Sequence, residues 1–446
     1  MVPPLNDCSV MPAWNFPKAF WTANTVELFE RAAYYAVFIA ITLYLTDVVG
    51  FSDINAAWIG GTFAAGLYLL PPFTGALADK IGFRKAILLA FVLLTIGYFT
   101  LGAFPYKTTV LPALVVLMFG GSFIKSIITG TVAKTSSSDT RARAFSIFYG
   151  IVNVGSFTGK TIAYPLRVNL GLQSINYYAA FMTLIALVVV FVYYKNVNID
   201  GEGKTVKEAW RALVRLVTNM RLLVLILIIA GFWIIQQQMY ATMPKYVLRT
   251  VGNDASPEWI ANVNPLIVMV FVVFVTQVMK NVKAISSMTV GMLLMPLSAL
   301  CMASSPLLAS FFGQSVPLLG LGHAHPITIM LLAGIAVQGL AECFISPRYL
   351  EFFSLQAPKG EEGAYLGFGH LHSFFAILLG FGLSGYLLNA YCPDPKTLTP
   401  EQLVGAYDRA NYIWYYFAAI GSVAAVALMI YARVVTRMGA QVSHHN

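Results

Sequence analysis

Apolar residues run along the whole chain in stretches of about twenty, each long enough to cross a bilayer as a helix. Short segments of Gly, Pro, Asp, Asn and Ser separate them. The pattern predicts twelve spanning helices, over residues 21–47, 56–79, 84–104, 109–134, 142–165, 173–195, 221–248, 257–279, 284–306, 326–349, 362–390 and 409–434. The longest polar interval, near Asn196 to Asn219, divides them six and six. Its piece Val206 to Leu216 is amphipathic and is expected to lie on the membrane surface. The chain therefore reads as an all-α integral membrane protein. Two six-helix bundles, residues 1–195 and 221–446, flank a cytoplasmic linker at 196–220.

Composition agrees with the pattern. The chain is 58% hydrophobic and 11% charged over 446 residues, and no interval is large enough for a soluble domain. The net charge of +9 is explained by topology. With the N-terminus inside, nineteen Lys and Arg residues fall on the inner side, and only Lys107, Arg167, Lys245, Arg249, Lys396 and Arg409 fall outside. This bias places both termini in the cytoplasm, with a bacterial cytoplasmic (inner) membrane as the expected location. No basic stripe with interleaved aromatics is present, so nucleic acid is not an expected partner. Met1 to Lys18 lacks a basic start and an apolar core, so the first helix is expected to act as the insertion signal. The four cysteines have no CxxC spacing, and the pairs His323/His325 and His370/His372 lack the i, i+4 spacing of a helical metal site. No metal is expected.

Three cations, Arg31, Lys125 and Lys160, lie within the predicted spans. Charge at membrane depth is costly and marks a water-filled path or a buried partner. Glu27, Glu30, Arg31 and Tyr34 are spaced i, i+3, i+4, i+7 and line one face of helix 1. Glu27 is expected to reach Arg31, and Glu30 to reach Tyr34. One arginine cannot neutralise two carboxylates, so one of them is expected to titrate readily, as proton coupling requires. Arg31, Lys125, Asn153 and Glu342 lie about ten, nine, eleven and eight residues from the inner ends of helices 1, 4, 5 and 10, which at 1.5 Å per residue is one depth near the midplane. Transporters bind substrate at that level, between their halves. Tyr34, Tyr35, Tyr68, Tyr149 and Trp233 are candidates for adaptable pocket walls. Lys160 sits near the outer end of helix 5, where its ammonium is expected to snorkel to the interface.

Two kinds of motif extend this picture. Gly75-Ala76-Leu77-Ala78-Asp79-Lys80-Ile81-Gly82-Phe83-Arg84-Lys85 resembles the helix 2–3 loop signature of the major facilitator superfamily. The resemblance implies the major facilitator fold and a conformational role for Gly75, Asp79, Gly82, Arg84 and Lys85 in locking the outward-facing state. The string Glu27-x-x-Glu30-Arg31-x-x-Tyr34-Tyr35 resembles the helix 1 signature of the proton-dependent oligopeptide transporter (POT) family, with Ala32 where that family usually has Phe. Phe145 to Ser156, Phe232-Trp233 with Gln238, Asn264-Pro265, and Glu342 with Ser346-Pro347 and Ala357-Pro358 resemble its later motifs in order.

This resemblance implies proton-coupled import of di- or tripeptides by alternating access. It implies that Glu27 and Glu30 carry the proton, and that Arg31 and Lys125 hold the peptide carboxylate. Glu342, Asn153 and Asn264 would hold the amino end, with Tyr34, Tyr35, Tyr68, Trp233 and Gln237 completing the site. The expected partners are a short peptide or similar zwitterion and the lipid bilayer. The chain is expected to act as a monomer, with no cofactor beyond protons as the coupling ion. Two departures bear on this. Helix 7 reads Gln236-Gln237-Gln238 where the family often has a glutamate, and Arg348, Tyr349 and Glu351 follow the helix 10 Ser-Pro. The alternative is a carrier or exporter of the same fold for another zwitterionic or anionic solute. A peptide sensor is a third possibility. An enzyme is not expected, because no nucleophile with a base converges at one depth.

Overall fold

Ten helices of the computed structural model are long and apolar enough to cross a membrane. The structure describes residues 16–136, 140–194, 206–318, 322–355 and 368–443. Helix 1 is Lys18–Leu43, extended by a π-helical turn Tyr44–Val48. Helix 2 is split into Asp53–Leu69 and Pro71–Ile81. Helices 3 to 6 are Phe83–Ala103, Lys107–Lys134, Arg141–Leu170 and Leu172–Tyr193. A linker helix, Val206–Val217, follows. Helix 7 comprises Met220–Gln236, Gln238–Ala241 and Met243–Thr250, and helix 8 comprises Pro257–Ile260 and Val263–Met279. Helices 9 to 12 are Ala284–Ala303, Pro326–Leu355, Leu371–Tyr391 and Tyr412–Ser443. The two passages outside the apolar ten are the split helix 2 and helix 5, which carries Arg141, Arg143, Lys160 and Arg167. Twelve passages put the start of helix 1 and the end of helix 12 on one face, here called proximal; the other is distal.

Three helices predicted as continuous are broken, and proline accounts for most of the breaks. Pro71 and Pro72 restart helix 2, and Pro244 opens the last piece of helix 7. In helix 8, Pro265 has no N–H to give to the carbonyl of Ala261, and the chain turns at Ala261 and Asn262. Helix 10 runs to Leu355, past its expected end. The predicted start of helix 11 and the Ala357-Pro358 motif lie outside the described residues. A two-stranded antiparallel hairpin, β1 (Val316–Leu318) and β2 (Gly322–Ala324), joins helices 9 and 10, with Pro317 opposite His323. The apolar periodicity did not predict it. His323 and His325 serve this region locally: one ring meets Ser315, and the other accepts from the Ile327 N–H at the start of helix 10.

The exterior is a belt of exposed apolar side chains, among them Phe99, Phe181, Phe191, Val273 and Phe274. No soluble surface tolerates so much apolar area, and lipid is its natural solvent. Inside each bundle the helices meet at small residues. Gly155 and Gly159 of helix 5 lie against Arg31 and Ala32 of helix 1: a Cβ at Gly155 would come within 2.7 Å of the Arg31 Cβ, and one at Gly159 would overlap the Ala32 carbonyl. Between the bundles, helix 2 packs on helix 11 and helix 5 on the start of helix 8. A Cβ at Gly385 of helix 11 would meet the Ala57 Cβ at 2.8 Å, so the 2–11 crossing is also close. The linker helix packs on the second piece of helix 2, with Trp210 6.1 Å from Phe73.

Candidate functional site

The close crossing of helices 1 and 5 fixes the charged face of helix 1. Arg31 is ion-paired to both carboxylates, through Nε to Glu27 at 3.2 Å and to Glu30 directly. All three side chains are buried. The expected reach of Glu30 to Tyr34 is therefore corrected: the arginine takes both acids, because the guanidinium offers donors along two edges. Tyr34 stacks below that cation instead, its ring centroid 5.1 Å from Arg31 Cζ. One oxygen remains over. Glu27 Oε2 is buried without a hydrogen bond among the described residues. Lys125 of helix 4 has no carboxylate within ion-pair distance among the described residues; its Nζ lies 3.4 Å from the centroid of the Tyr68 ring. That cation–π contact substitutes for a counter-ion.

A cavity lies between the bundles. The first bundle lines it with Tyr34, Tyr35, Phe38 and Tyr68, the second with Trp233, Gln236, Gln237, Met239, Tyr240, Asn264, Glu342 and Ile377. The helix 7 break turns three consecutive glutamines in three directions. Gln236 donates through Nε2 to Glu342 Oε2 at 3.0 Å. Gln237 faces the cavity. Gln238 bonds the Ile234 and Gly380 carbonyls and accepts from Thr242, fastening helix 7 to helix 11. Asn264, at the restart of helix 8, donates to the same Glu342 oxygen at 3.2 Å. Glu342 is thus held by two neutral amides, and its Oε1 has no hydrogen bond among the described residues. Trp233 stacks at 5.3 Å on His372, whose ring also meets the Gly369 carbonyl.

Seven of the ten substrate-site residues read from the sequence line this cavity: Tyr34, Tyr35, Tyr68, Trp233, Gln237, Asn264 and Glu342. Arg31 and Lys125 do not line it; each sits against a lining ring, Tyr34 or Tyr68. Asn153 does not join Glu342. Its amide donates to the Tyr149 carbonyl one turn back on its own helix at 2.9 Å. Tyr149 is 52% exposed, so it is no cavity wall.

Lys160 overturns its expected snorkelling. It is 0% exposed, and its Nζ donates to the Ala261 carbonyl at 3.2 Å. That carbonyl is the one left free by Pro265, so the Asn264-Pro265 pair was the available sequence signal for a buried donor nearby. Distal to the cavity the halves are fastened by further contacts. Phe38 packs on Tyr240 at 4.6 Å and on Phe381 at 5.7 Å. Asp53 of helix 2 pairs with Lys245 and Arg249 of helix 7, both at 2.7 Å. Arg167 of helix 5 pairs with Glu258 of helix 8 at 2.5 Å and donates to the Ala255 carbonyl. Three of the six cations assigned to outer loops are therefore partners in buried ties between the bundles, and a fourth, Lys396, makes an exposed one to Asp47 at 3.3 Å. Removing one member of such a buried pair costs about 3–5 kcal/mol, because the other charge is stranded. The site is sealed on its distal side in this conformation.

The helix 2–3 loop occupies the proximal face. Gly82 has φ +89°, a conformation that favours glycine. Arg84 reaches the Phe191 carbonyl at 3.0 Å, capping the end of helix 6. Gly75 lets helix 2 approach Ser126 of helix 4, whose hydroxyl donates to the Pro71 carbonyl at 2.7 Å. Lys85 is exposed, and Asp79 makes no ion pair among the described residues.

The chain is similar to known proteins in sequence and in fold. The chain is 32% identical over 192 residues to a dipeptide and tripeptide permease B of Photorhabdus asymbiotica, an alignment covering 42% of this chain and 39% of that protein. Against a dipeptide and tripeptide permease A of Pectobacterium carotovorum it is 22% identical over 483 residues, covering 96% of this chain and 93% of that one. The crystal structure of a POT family transporter in complex with a thioalcohol-conjugated peptide superposes with a TM-score of 0.75 at 17% identity, over 95% of this chain and 97% of the other. A POT family transporter in complex with 5-aminolevulinic acid gives 0.71 at 19% identity, over 94% and 96%. These structural likenesses establish the fold. The model of the Major Facilitator Superfamily matches residues 25–313, well over half of the chain. With twelve passages in two bundles and a cavity between them, the chain belongs to the Major Facilitator Superfamily.

Proposed function

We propose that this chain is a proton-dependent oligopeptide transporter, importing di- and tripeptides by alternating access across a bacterial cytoplasmic membrane. It works as a monomer in the bilayer, with the proximal face and both termini in the cytoplasm, and it moves its substrate without chemical change. The observation that carries this is Glu342: a carboxylate in an aromatic-walled cavity between the bundles, held by Gln236 and Asn264 and paired to no cation within hydrogen-bond distance among the described residues. A half-buried anion solvated by amides alone is poised for a cation, and a peptide's ammonium group is one. Arg31 and Lys125 lie across the cavity in the other bundle, each against a lining ring, and suit the peptide's carboxylate once those rings turn aside. The helix 1 motif and the permease relatives support the same substrate class.

Protons are the coupling ion. A proton on Glu27 or Glu30 loosens the hold on Arg31, which then joins Lys125 in taking the peptide carboxylate. Glu342 takes the amine. With the halves drawn together, the distal ties among Asp53, Lys245, Arg249, Arg167 and Glu258 close behind the substrate. Loss of the proton to the cytoplasm restores the Arg31 ion pairs and releases the peptide. A membrane potential supplies about 2.3 kcal/mol per charge per 100 mV, and each pH unit about 1.4, so one proton suffices to concentrate a peptide. The test is uptake of labelled dipeptides into proteoliposomes under an inward proton gradient. Accumulation should follow the gradient and collapse with a protonophore. A mixed dipeptide set that never accumulates would sink this function.

A further inference from the structure

Lys160 is the one cation of the membrane interior that the transport cycle above does not use. Its surroundings are unusual. Its ammonium has three donors, and one of them satisfies the Ala261 carbonyl freed by Pro265. A neutral amide or hydroxyl would satisfy that carbonyl without burying a charge. Among the described residues no carboxylate lies within 4 Å of it. The rings that flank it are Tyr35 at 5.8 Å and Tyr240 at 5.9 Å, and both rings line the cavity. The acid in the wall of that same cavity is Glu342, on the opposite bundle. A fully buried cation, without an ion pair among the described residues, thus stands just behind two rings of the cavity where a peptide's amino end would bind.

Resting on the peptide-transport function, we propose that Lys160 and Glu342 together form a subsite for peptides whose amino-terminal residue carries a carboxylate side chain. An amino-terminal Asp or Glu has an ammonium and a carboxylate on one short frame. The ammonium goes to Glu342, and the side-chain carboxylate reaches the spare donors of Lys160 once the Tyr35 and Tyr240 rings, whose centroids are 6.3 Å apart, swing aside. Both charges then acquire partners of opposite sign. A Lys side chain at the same position meets the cation and is repelled.

The test compares Glu-Ala, Lys-Ala, Ala-Glu and Ala-Ala as competitors of labelled Ala-Ala exchange in proteoliposomes, for the natural chain, Lys160→Gln and Lys160→Arg. In the natural chain Glu-Ala should compete about tenfold better than Lys-Ala, the size of one charge-assisted hydrogen bond. Lys160→Gln can still donate to the Ala261 carbonyl, so Ala-Ala and Ala-Glu should stay within about twofold, while the Glu-Ala advantage disappears. Lys160→Arg should retain it. A Glu-Ala preference that survives in Lys160→Gln overturns the subsite, as does an equal loss for all four peptides in both variants, which would make Lys160 a latch on helix 8. If Ala-Ala exchanges in the natural chain in those cases, the transport function stands and this subsite alone falls. If no peptide competes in the natural chain, both fall together.

Discussion

The two bundles each bring carboxylates to the middle of the protein, and they treat them in opposite ways. Glu27 and Glu30 share one guanidinium on their own helix, at separations of four residues and one. Glu342 is held by amides from two other helices and, among the described residues, by no cation within hydrogen-bond distance. The first arrangement is assembled without a ligand, because helical spacing alone brings its members together. The second waits for one: hydrogen bonds from two neutral amides solvate a charge that still lacks its counter-ion. The difference implies a division of labour, with the helix 1 cluster storing or releasing a proton and the Glu342 site recruiting a cationic group.

The largest effect should come from breaking the second arrangement. Glu342→Gln keeps the volume and a hydrogen-bonding partner for Gln236 and Asn264 but removes the charge. Exchange of Ala-Ala should fall about 30-fold, the scale of a lost hydrogen bond to a charged group. Exchange of any amino-acetylated peptide that binds should hardly change. A similar loss for both classes would place Glu342 in folding and not in amine capture. The next effect isolates the first arrangement. Glu27→Gln removes the acid with the unsatisfied oxygen while leaving Arg31 its pair with Glu30. Gradient-driven accumulation should drop to equilibration, whereas counterflow exchange, which needs no net proton movement, should stay within about threefold. Normal accumulation in Glu27→Gln would move coupling to Glu30 or Glu342.

This contrast also explains what the sequence could and could not convey. The helix 1 cluster was legible because its members are close in the chain and helical spacing puts them on one face. Even there the choice of Arg31 over Tyr34 as the partner of Glu30 needed coordinates, since both lie within reach. The Glu342 site joins helices 7, 8 and 10, and no spacing rule relates Gln236, Asn264 and Glu342. The family motifs marked Asn264 and Glu342, but Gln236 read only as a missing acid. Lys160 was misread because its distance from the helix end favours snorkelling, whereas the decisive fact is a carbonyl orphaned by a proline on another bundle. The twelve passages were plain from hydrophobicity. The helix breaks were not, although Pro71, Pro244 and Pro265 stood at three of them.

Smaller changes test how far the amides matter. Gln236→Ala and Asn264→Ala each remove one amide hydrogen bond to the Glu342 carboxylate, worth about 1.5 kcal/mol, so each should weaken Ala-Ala exchange about tenfold. Their double variant should lose more than the product, because removing the last amide leaves the carboxylate without a donor among the described residues. Asn153→Ala is the sharpest negative test. The POT resemblance assigns Asn153 to the peptide's amino end, but here its amide is spent on the Tyr149 carbonyl within helix 5. If that bond persists through the cycle, Asn153→Ala should leave exchange within about twofold, since an intrahelical side-chain bond of this kind contributes little. A loss as large as that of Asn264→Ala would mean that Asn153 swings into the cavity when substrate binds. The contrast between the bundles would then soften, because the amine site would draw a ligand from each.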